Sequence, residues 1–321
     1  MSPQLDPQAQ ALLEVMHAAG GAQLHTLEIE QAREQMRATL IARGEPIALH
    51  HVEDTSLPTP CGDLRMRLYR PCAGPLPLAL FLHGGGWTLN DIDTHDRLCR
   101  RIARRSGWLL ASLDYRRAPE HRHPAALEDA HIAYRWLLDN AQRIEGDCSC
   151  VALVGESSGG TTAACLTLLL RDLGAPMPVL QILAYPITDM CGRWPSYEER
   201  GTGYTLDRGF VQWALGNYLP AEYDSTDPYL LPLAAPDLSG VSPTVIMTAE
   251  FDPLRDEGIA YARRLASAGV TVEHIHAEDQ MHGFLLLDRA VEKAGALIDR
   301  LADALAGQTS AGASDATPAV C

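Results

Sequence analysis

The sequence lacks the features of a membrane-spanning, secreted or nucleic-acid-binding protein. Its longest apolar stretches, such as residues 163–170, are far too short to span a bilayer. The N-terminus has neither the positively charged region nor the apolar region of a signal peptide. A formal net charge of -15 with no dense basic run disfavours nucleic acid and anionic membranes as main partners. We therefore expect a cytoplasmic protein.

The eight cysteines also lack the spacing of a metal site. Cys148 and Cys150 are too close together for the usual zinc motif, and the other six are isolated. Free thiols in a reducing compartment are therefore expected. One cluster of acidic residues with a histidine could suggest a cation site, although we prefer to interpret it as a solvated loop and helix N-terminus. It consists of Asp91, Asp93, His95 and Asp96. No metal site is therefore expected.

The first third of the chain predicts two helices and a hairpin. Residues 7–43 have apolar positions at helical spacing, and Gly20 and Gly21 divide them into two helices. Segments 47–52 and 64–69 are strand-like and are separated by a proline-rich turn. They predict an antiparallel hairpin at the edge of a sheet.

The rest of the chain alternates apolar runs with amphipathic stretches. The apolar runs are typical of strands buried on both faces of a parallel sheet. They lie at 78–82, 108–113, 151–154, 179–185 and 244–248, with a last strand at 270–276. The helical stretches lie at 96–106, 125–142, 158–173, 256–268 and 289–306. This alternation predicts a doubly wound α/β fold, a mostly parallel sheet flanked by helices.

One segment, residues 190–235, interrupts the alternation with turns, aromatic residues and a helical piece at 207–218. We interpret it as an insertion that forms a cap over the sheet together with the helices of residues 1–45. Residues 46–189 and 236–306 then form the catalytic domain. The last residues, 307–321, are mostly Ala, Ser, Thr, Gly and Pro and predict a disordered tail.

Ser157 is the candidate nucleophile. It lies in the pentapeptide Gly-Glu-Ser-Ser-Gly at 155–159, directly after a predicted strand and before a predicted helix, as a nucleophile elbow requires. Such a turn forces the serine into a strained backbone conformation, and Gly155 and Gly159 remove side chains that would collide across it. The helix N-terminus favours a developing negative charge at this point.

A serine hydroxyl is a poor nucleophile unless a base removes its proton. Among the twelve histidines, His282 is the best placed, in a loop between the last predicted strand and the terminal helix. The α/β-hydrolase fold requires the order nucleophile, acid, histidine. Asp252, which follows the strand at 244–248, is the preferred acid, and Glu250 is its main rival. Asp252 would hold the tautomer of His282 and stabilise its imidazolium.

A glycine run supplies candidate donors for an oxyanion hole. The segment 83–87, His-Gly-Gly-Gly-Trp, follows the strand at 78–82. We assign the hole to the backbone amides of Gly85 and Gly86, joined by the amide of Ser158. A phosphate loop is the alternative, but the Gly-Lys-Ser/Thr ending of that motif is missing.

Together these motifs resemble the hormone-sensitive-lipase-like group of α/β hydrolases, the bacterial capped esterases. The resemblance covers about residues 64–306, and its matching segments are 83–87, 114–121, 124–129, 155–160, 252–258 and 282–284. Glu156 and Ser158 depart from the group's usual Gly-Asp-Ser-Ala-Gly pattern. Neither departure removes a catalytic group, because residue 158 contributes its backbone. They leave the rate and the substrate preference open.

The resemblance implies a serine carboxylic-ester hydrolase for short-to-medium acyl esters that requires no cofactor. It also implies a hydrophobic pocket under the cap; the candidate lining residues are Trp87, Tyr197, Tyr204, Phe210, Trp213 and Tyr218. His121 and His123 are assigned a supporting role near the active-site loops. Dimers are common among relatives, which allows a homodimer, although no residue pattern marks an interface.

Two other functions stay open at this point. The same machinery could cleave amides, carbamates or lactones. The fold also serves as a non-catalytic ligand-binding receptor, in which the histidine is lost; His282 disfavours that alternative.

Overall fold

The computed structural model describes residues 3–20, 22–38, 45–189 and 192–312, with side chains as far as residue 308. The strands are β1 His51–Leu57, β2 Leu64–Arg70, β3 Leu76–Leu82, β4 Leu109–Asp114, β5 Gly146–Glu156, β6 Leu180–Ala184, β7 Thr244–Phe251 and β8 Val272–Met281. They form an eight-stranded sheet in the order β1-β2-β4-β3-β5-β6-β7-β8.

The sheet is parallel from β4 through β8, whereas β1 pairs antiparallel with β2 and β2 antiparallel with β4. The predicted mostly parallel sheet with an antiparallel hairpin at one edge is confirmed. The first strand begins at His51 and not at residue 47. Every residue of β6 is buried, which explains why the central strands have continuous apolar runs.

Helices cover both faces of this sheet and its C-terminal edge. They are α1 Pro7–Ala19, α2 Ile29–Ala38, α3 Asp96–Ser106, α4 Ala125–Asp139, α5 Ser158–Asp172, α6 Pro195–Glu199, α7 Arg208–Tyr218, α8 Arg255–Ser267 and α9 Glu292–Gly312. The sequence did not predict the short helix α6. Residues 39–44 and 190–191, at two of the predicted boundaries, lie outside the described residues.

The tail prediction is wrong at its beginning. Helix α9 continues to Gly312, although disorder is expected from residue 307. Leu301, Ala302 and Leu305 anchor the preceding turns in the core, and each further residue of a formed helix adds a hydrogen bond. Residues 313–321 lie outside the described residues.

The expectation of free thiols throughout is wrong at Cys148, which is disulfide-bonded. The connectivity of a disulfide cannot be deduced from sequence alone. The free cysteines among the described residues are Cys61, Cys72, Cys99, Cys150 and Cys165. Across the described ranges, no helix is both long and apolar enough to cross a membrane.

Arginines neutralise the acidic group that could suggest a cation site. Asp91 pairs with Arg37 at 3.0 Å, and Arg67 contacts Asp93 at 2.9 Å and Asp96 at 3.1 Å. Within the part of the chain that the structure describes, no group of three or more His, Cys, Asp or Glu residues could hold a metal ion.

The strand order brings four chain segments to one edge of the sheet. The glycine run follows β3, Ser157 follows β5, Asp252 follows β7 and His282 follows β8. Because these strands are parallel, their carboxyl ends lie at the same edge, where α/β proteins form their binding crevices.

Candidate active site

Ser157 lies in a tight turn between β5 and α5. Its backbone has φ 54° and ψ −123°, a conformation that residues with a side chain rarely adopt. A Cβ atom at Gly155 would stand 2.3 Å from the carbonyl oxygen of Gly159, and one at Gly159 would stand 2.0 Å from that of Leu82. Both positions therefore require glycine, and the turn holds the serine above the sheet edge in a strained conformation.

A line of hydrogen bonds connects Ser157, His282 and Asp252. Oγ of Ser157 lies 2.9 Å from Nε2 of His282, and Nδ1 of His282 lies 2.7 Å from Oδ2 of Asp252. Asp252 is fully buried, and its Oδ1 accepts a hydrogen bond from the amide of Leu254. Its orientation is thereby fixed, and the line can carry a proton from the serine to the imidazole.

The rival acid, Glu250, has other partners. Its carboxylate contacts Arg200 at 2.8 Å and Arg255 at 2.9 Å, and Nε2 of His276 lies 3.3 Å away. Of the two candidate acids, the geometry therefore brings only Asp252 to His282.

The surroundings of His282 favour its protonated form. Burial lowers the pKa of the imidazole, but the charge of Asp252 and the hydrogen bond to it outweigh this effect. The charge of Glu156 adds to the increase. The pKa of His282 therefore lies above its ordinary value, which suits a group that must accept a proton during the reaction.

The glycine run after β3 presents its amides next to Ser157. Gly85 has φ 110° and Gly86 has φ 61°, and a Cβ atom at Gly85 would stand 2.5 Å from the carbonyl oxygen of Leu89. Among the described residues, no backbone or side-chain acceptor is hydrogen-bonded to the amide of Gly85, Gly86 or Ser158. Such amides can receive the oxygen of a tetrahedral intermediate.

A cavity of about 450 Å³ opens over these groups. Ser157, His282, Gly85 and Gly86 line its floor. Apolar side chains from the N-terminal helices, the segment around α7 and the loop after β8 form much of its wall: Leu12, Met16, Leu24, Met36, Leu206, Phe210, Leu286 and Leu287. The polar and charged wall residues are Asn90, Arg97, Glu156, Thr205, Asp288 and Arg289.

The structure places only one of the predicted aromatic lining residues in this wall, Phe210. Trp87 is 1% exposed and stacks on Tyr218, and neither residue lines the cavity. Trp213 packs beside Phe210 with a ring distance of 5.4 Å and is not among the lining residues. Tyr197 donates a hydrogen bond to buried Glu257.

The aliphatic part of the wall was not predicted from the sequence. Leu12 and Met16 are four residues apart on α1 and therefore share one face of that helix. Their helical spacing was a usable signal in the sequence. In the structure, Met16 is 47% exposed, which is unusual for a residue that only packs in a core. No sequence signal connects His95 with Glu156, which are 61 residues apart in the chain and 3.2 Å apart in space.

Comparison with known proteins assigns the family. The family described as alpha/beta hydrolase fold matches residues 79–286. The carboxylic ester hydrolase LipN of Mycobacterium tuberculosis is 42% identical over 291 residues, which cover 88% of this chain and 77% of LipN. Ethyl acetate hydrolase of Pseudomonas putida is 36% identical over 303 residues, with 90% and 95% of the two chains covered.

A solved structure agrees with these relatives. The ester hydrolase from the metagenome of Lake Arreo, complexed with a derivative of bipyridine phosphonate, superimposes with a TM-score of 0.92. Its sequence identity is 35%, and the match covers 96% of this chain and 100% of that one. The chain belongs to the α/β-hydrolase family, in the hormone-sensitive-lipase-like group that its motifs indicate.

Proposed function

We propose that this protein is a carboxylesterase that cleaves short-to-medium acyl esters through a covalent acyl-enzyme on Ser157. The observation that carries the proposal is the chain of two hydrogen bonds that connects Asp252, His282 and Ser157. Nδ1 of His282 lies 2.7 Å from Oδ2 of Asp252, and Nε2 lies 2.9 Å from Oγ of Ser157. Carboxylic ester hydrolase activity also agrees with the names of the relatives, which include an ethyl acetate hydrolase and several esterases.

In the proposed reaction, Oγ of Ser157 attacks the ester carbonyl while Nε2 of His282 takes its proton. The carbonyl oxygen becomes an oxyanion that accepts hydrogen bonds from the amides of Gly85, Gly86 and Ser158. The C–O bond to the alcohol then breaks, and His282 returns its proton to the departing oxygen. Water deacylates Ser157 by the same route, and Asp252 stabilises the imidazolium in both halves.

The cavity supports a small apolar substrate. Its volume of about 450 Å³ lies in the ordinary range for small-molecule sites. Aliphatic side chains dominate its wall, so an alkyl or aryl acyl group would bury apolar surface there. The phosphonate complex of the Lake Arreo enzyme, whose ligand resembles a tetrahedral intermediate in shape, is in keeping with attack by a serine.

We further propose that residues 1–45 and 190–235 form the cap over this cavity. Leu12 and Met16 come from the first segment, and Leu206 and Phe210 from the second. A cytoplasmic location and a homodimer stay predictions. The disulfide at Cys148 disfavours the predicted location, because disulfides are rare in a reducing compartment.

Replacement of Ser157 tests the proposed function. We expect Ser157→Ala to stay folded and to lose ester hydrolysis by several orders of magnitude, measured with p-nitrophenyl esters of increasing chain length. Ser149→Ala is a matched control at the exposed beginning of the same strand and should keep wild-type activity. A Ser157→Ala variant as active as the control would exclude the mechanism.

An amide substrate distinguishes the alternative reactions. A p-nitroanilide with the same acyl group as the best ester should be cleaved far more slowly if the protein is an esterase. Comparable kcat/KM values for the two substrates would favour an amidase instead.

A further inference from the structure

The two residues that flank Ser157 are the ones that depart from the usual pentapeptide of the group. The usual residues at 156 and 158 are Asp and Ala, whereas this chain has Glu156 and Ser158. Glu156 is 4% exposed and Ser158 is fully buried. A buried carboxylate or hydroxyl needs hydrogen-bond partners. The oxyanion loop is defined here as residues 84–87. Ser158 has its partner in Trp87, the last residue of this loop, and Glu156 has its partner in His95.

Ser158 contacts the C-terminal end of the oxyanion loop. Trp87 has φ 56°, in the left-handed region that bulky residues rarely adopt. Its backbone N–H donates to Oγ of Ser158 at 3.2 Å, and its indole N–H donates to Oγ1 of Thr162 at 3.0 Å. These bonds hold the unfavourable conformation that directs the chain after Gly86. Alanine at position 158 could not accept the first of them.

Glu156 contacts the N-terminal end of the loop. Its Oε2 lies 3.2 Å from Nε2 of His95, which is fully buried. Burial raises the pKa of Glu156, but the hydrogen bond and charge of His95 outweigh it, so the pKa lies below its ordinary value. The carboxylate is therefore ionised at neutral pH and Nε2 of His95 donates. A Cβ atom at Gly84 would stand 1.9 Å from the same Oε2, so the carboxylate packs directly against the loop backbone.

We propose that Glu156 and Ser158 are positioning residues that hold the two ends of the oxyanion loop against the nucleophile. This inference rests on the proposed esterase function. Because both residues are chain neighbours of Ser157, they fix the loop relative to the nucleophile itself. Donors that are already in place when the oxyanion forms need no reorganisation, and this is the source of their effect on the rate. The contribution is therefore to kcat more than to substrate binding.

The charge of Glu156 has a second effect, on His282. Asp252 and Tyr185 contact His282 directly. The other titratable and charged groups around it line the cavity or pair with a lining residue: Glu156 with its partner His95, Arg97, Asp288 and Arg289. Arg97 and Asp288 pair with each other at 2.9 Å, whereas Glu156 and Asp252 both favour the imidazolium of His282. Removal of the Glu156 charge should therefore lower the pKa of His282. Because His282 must be neutral to accept the serine proton, the acidic limb of kcat/KM should move to lower pH.

Three variants separate these effects. Glu156→Gln keeps an acceptor for His95 and removes the charge, whereas Glu156→Asp keeps the charge and shortens the side chain. Ser158→Ala removes the acceptor for Trp87. Each variant is measured for kcat, KM and the pH profile of kcat/KM, with thermal unfolding to verify folding and fluorophosphonate titration to count active sites.

We expect Glu156→Asp and Ser158→Ala each to lower kcat roughly tenfold with KM nearly unchanged, which is less than the loss of a whole oxyanion donor. Glu156→Gln should lower kcat less and move the acidic limb of kcat/KM to lower pH. Wild-type kcat and an unshifted profile in all three variants would overturn the proposal. Ser157→Ala in the same assay keeps the two ideas apart: an active Ser157→Ala variant contradicts the esterase function, whereas inactive Ser157→Ala with unchanged flanking variants contradicts only the positioning role.

Discussion

The ring of Tyr218 stacks on the indole of Trp87, with centroids 3.8 Å apart and planes 5° apart. Tyr218 is the last residue of α7, and Trp87 ends the oxyanion loop. Earlier in the same helix, Phe210 and Ala214 approach Gly86, where an added Cβ atom would stand 2.6 Å from that of Ala214. Helix α7 therefore packs directly on the loop that is proposed to stabilise the oxyanion.

This stacking should support the rate. We expect Tyr218→Ala to lower kcat roughly tenfold, because the loop loses the ring that holds Trp87, and to destabilise the protein by about 3–5 kcal/mol. Tyr218→Phe is the matched control: it keeps the ring and loses only the hydrogen bond between the phenol and Nδ1 of His123, 3.0 Å. Steady-state kinetics well below the unfolding temperature separate the two effects. Equal kcat for the two variants would contradict the role of stacking.

A methyl group at Gly86 should disable the oxyanion loop. Gly86 has φ 61°, and an added Cβ atom would collide with Ala214, so Gly86→Ala must displace the loop. We expect kcat to fall by about 10²-fold, as for the loss of one oxyanion donor. Gly216→Ala on α7 is the control, since nothing lies within 4 Å of its added Cβ atom. It should keep full activity and gain up to about 1 kcal/mol of stability, and wild-type kcat in Gly86→Ala would refute the assignment.

Two neighbouring aromatic residues should differ in their effect on acyl preference. Phe210 lines the cavity and Trp213 does not, although their rings are 5.4 Å apart. Phe210→Ala should enlarge the cavity and raise the ratio of kcat/KM for hexanoyl over acetyl esters several-fold. Trp213→Ala should leave that ratio close to the wild-type value. A ratio that changes only in Trp213→Ala would show that the wall has been assigned to the wrong residue.

A buried carboxyl group away from Ser157 should make stability depend on pH. Burial raises the pKa of Glu257 well above its ordinary value, although the amides of Thr188 and Asp189 donate to it. A carboxyl whose pKa is raised in the folded state favours folding at low pH, and stability is lost as the pH rises above the unfolded-state value. We therefore expect Glu257→Gln to raise Tm at pH 8 by roughly 2–4 °C and to have little effect near pH 4.

The control for this prediction is Glu257→Ala, which leaves both backbone amides without their acceptor and should destabilise at every pH. Thermal unfolding of the three proteins across this pH range provides the comparison. A Glu257→Gln variant that loses stability at pH 8 would mean that the folded protein holds the group as a stabilised carboxylate.

The sequence predicted those features that depend on neighbours in the chain. The elbow at Ser157 could be inferred because a strand, a glycine-flanked turn and a helix follow one another directly. The order of Asp252 and His282 along the chain was sufficient to select them, and the structure places both beside Ser157. Glycine requirements at 155 and 159 follow from the same local geometry.

Features that depend on packing between distant segments could not be predicted. The pairing of Glu156 with His95 spans 61 residues and has no periodic pattern. The orientation of α7 decides that Phe210 faces the cavity while Trp213 does not, and the aromatic composition of that helix is the same in either orientation. For the same reason, the sequence could not place the indole of Trp87 against the ring of Tyr218.

Active-site labelling is the decisive experiment, because the proposed mechanism requires Ser157 to form the covalent bond to the acyl group. The protein is treated with a fluorophosphonate, digested, and the modified peptide is sequenced by mass spectrometry. We expect one label, on Ser157, that disappears in Ser157→Ala and forms far more slowly in His282→Ala. A catalytically active protein that remains unlabelled, or that carries its label on another residue, would contradict it.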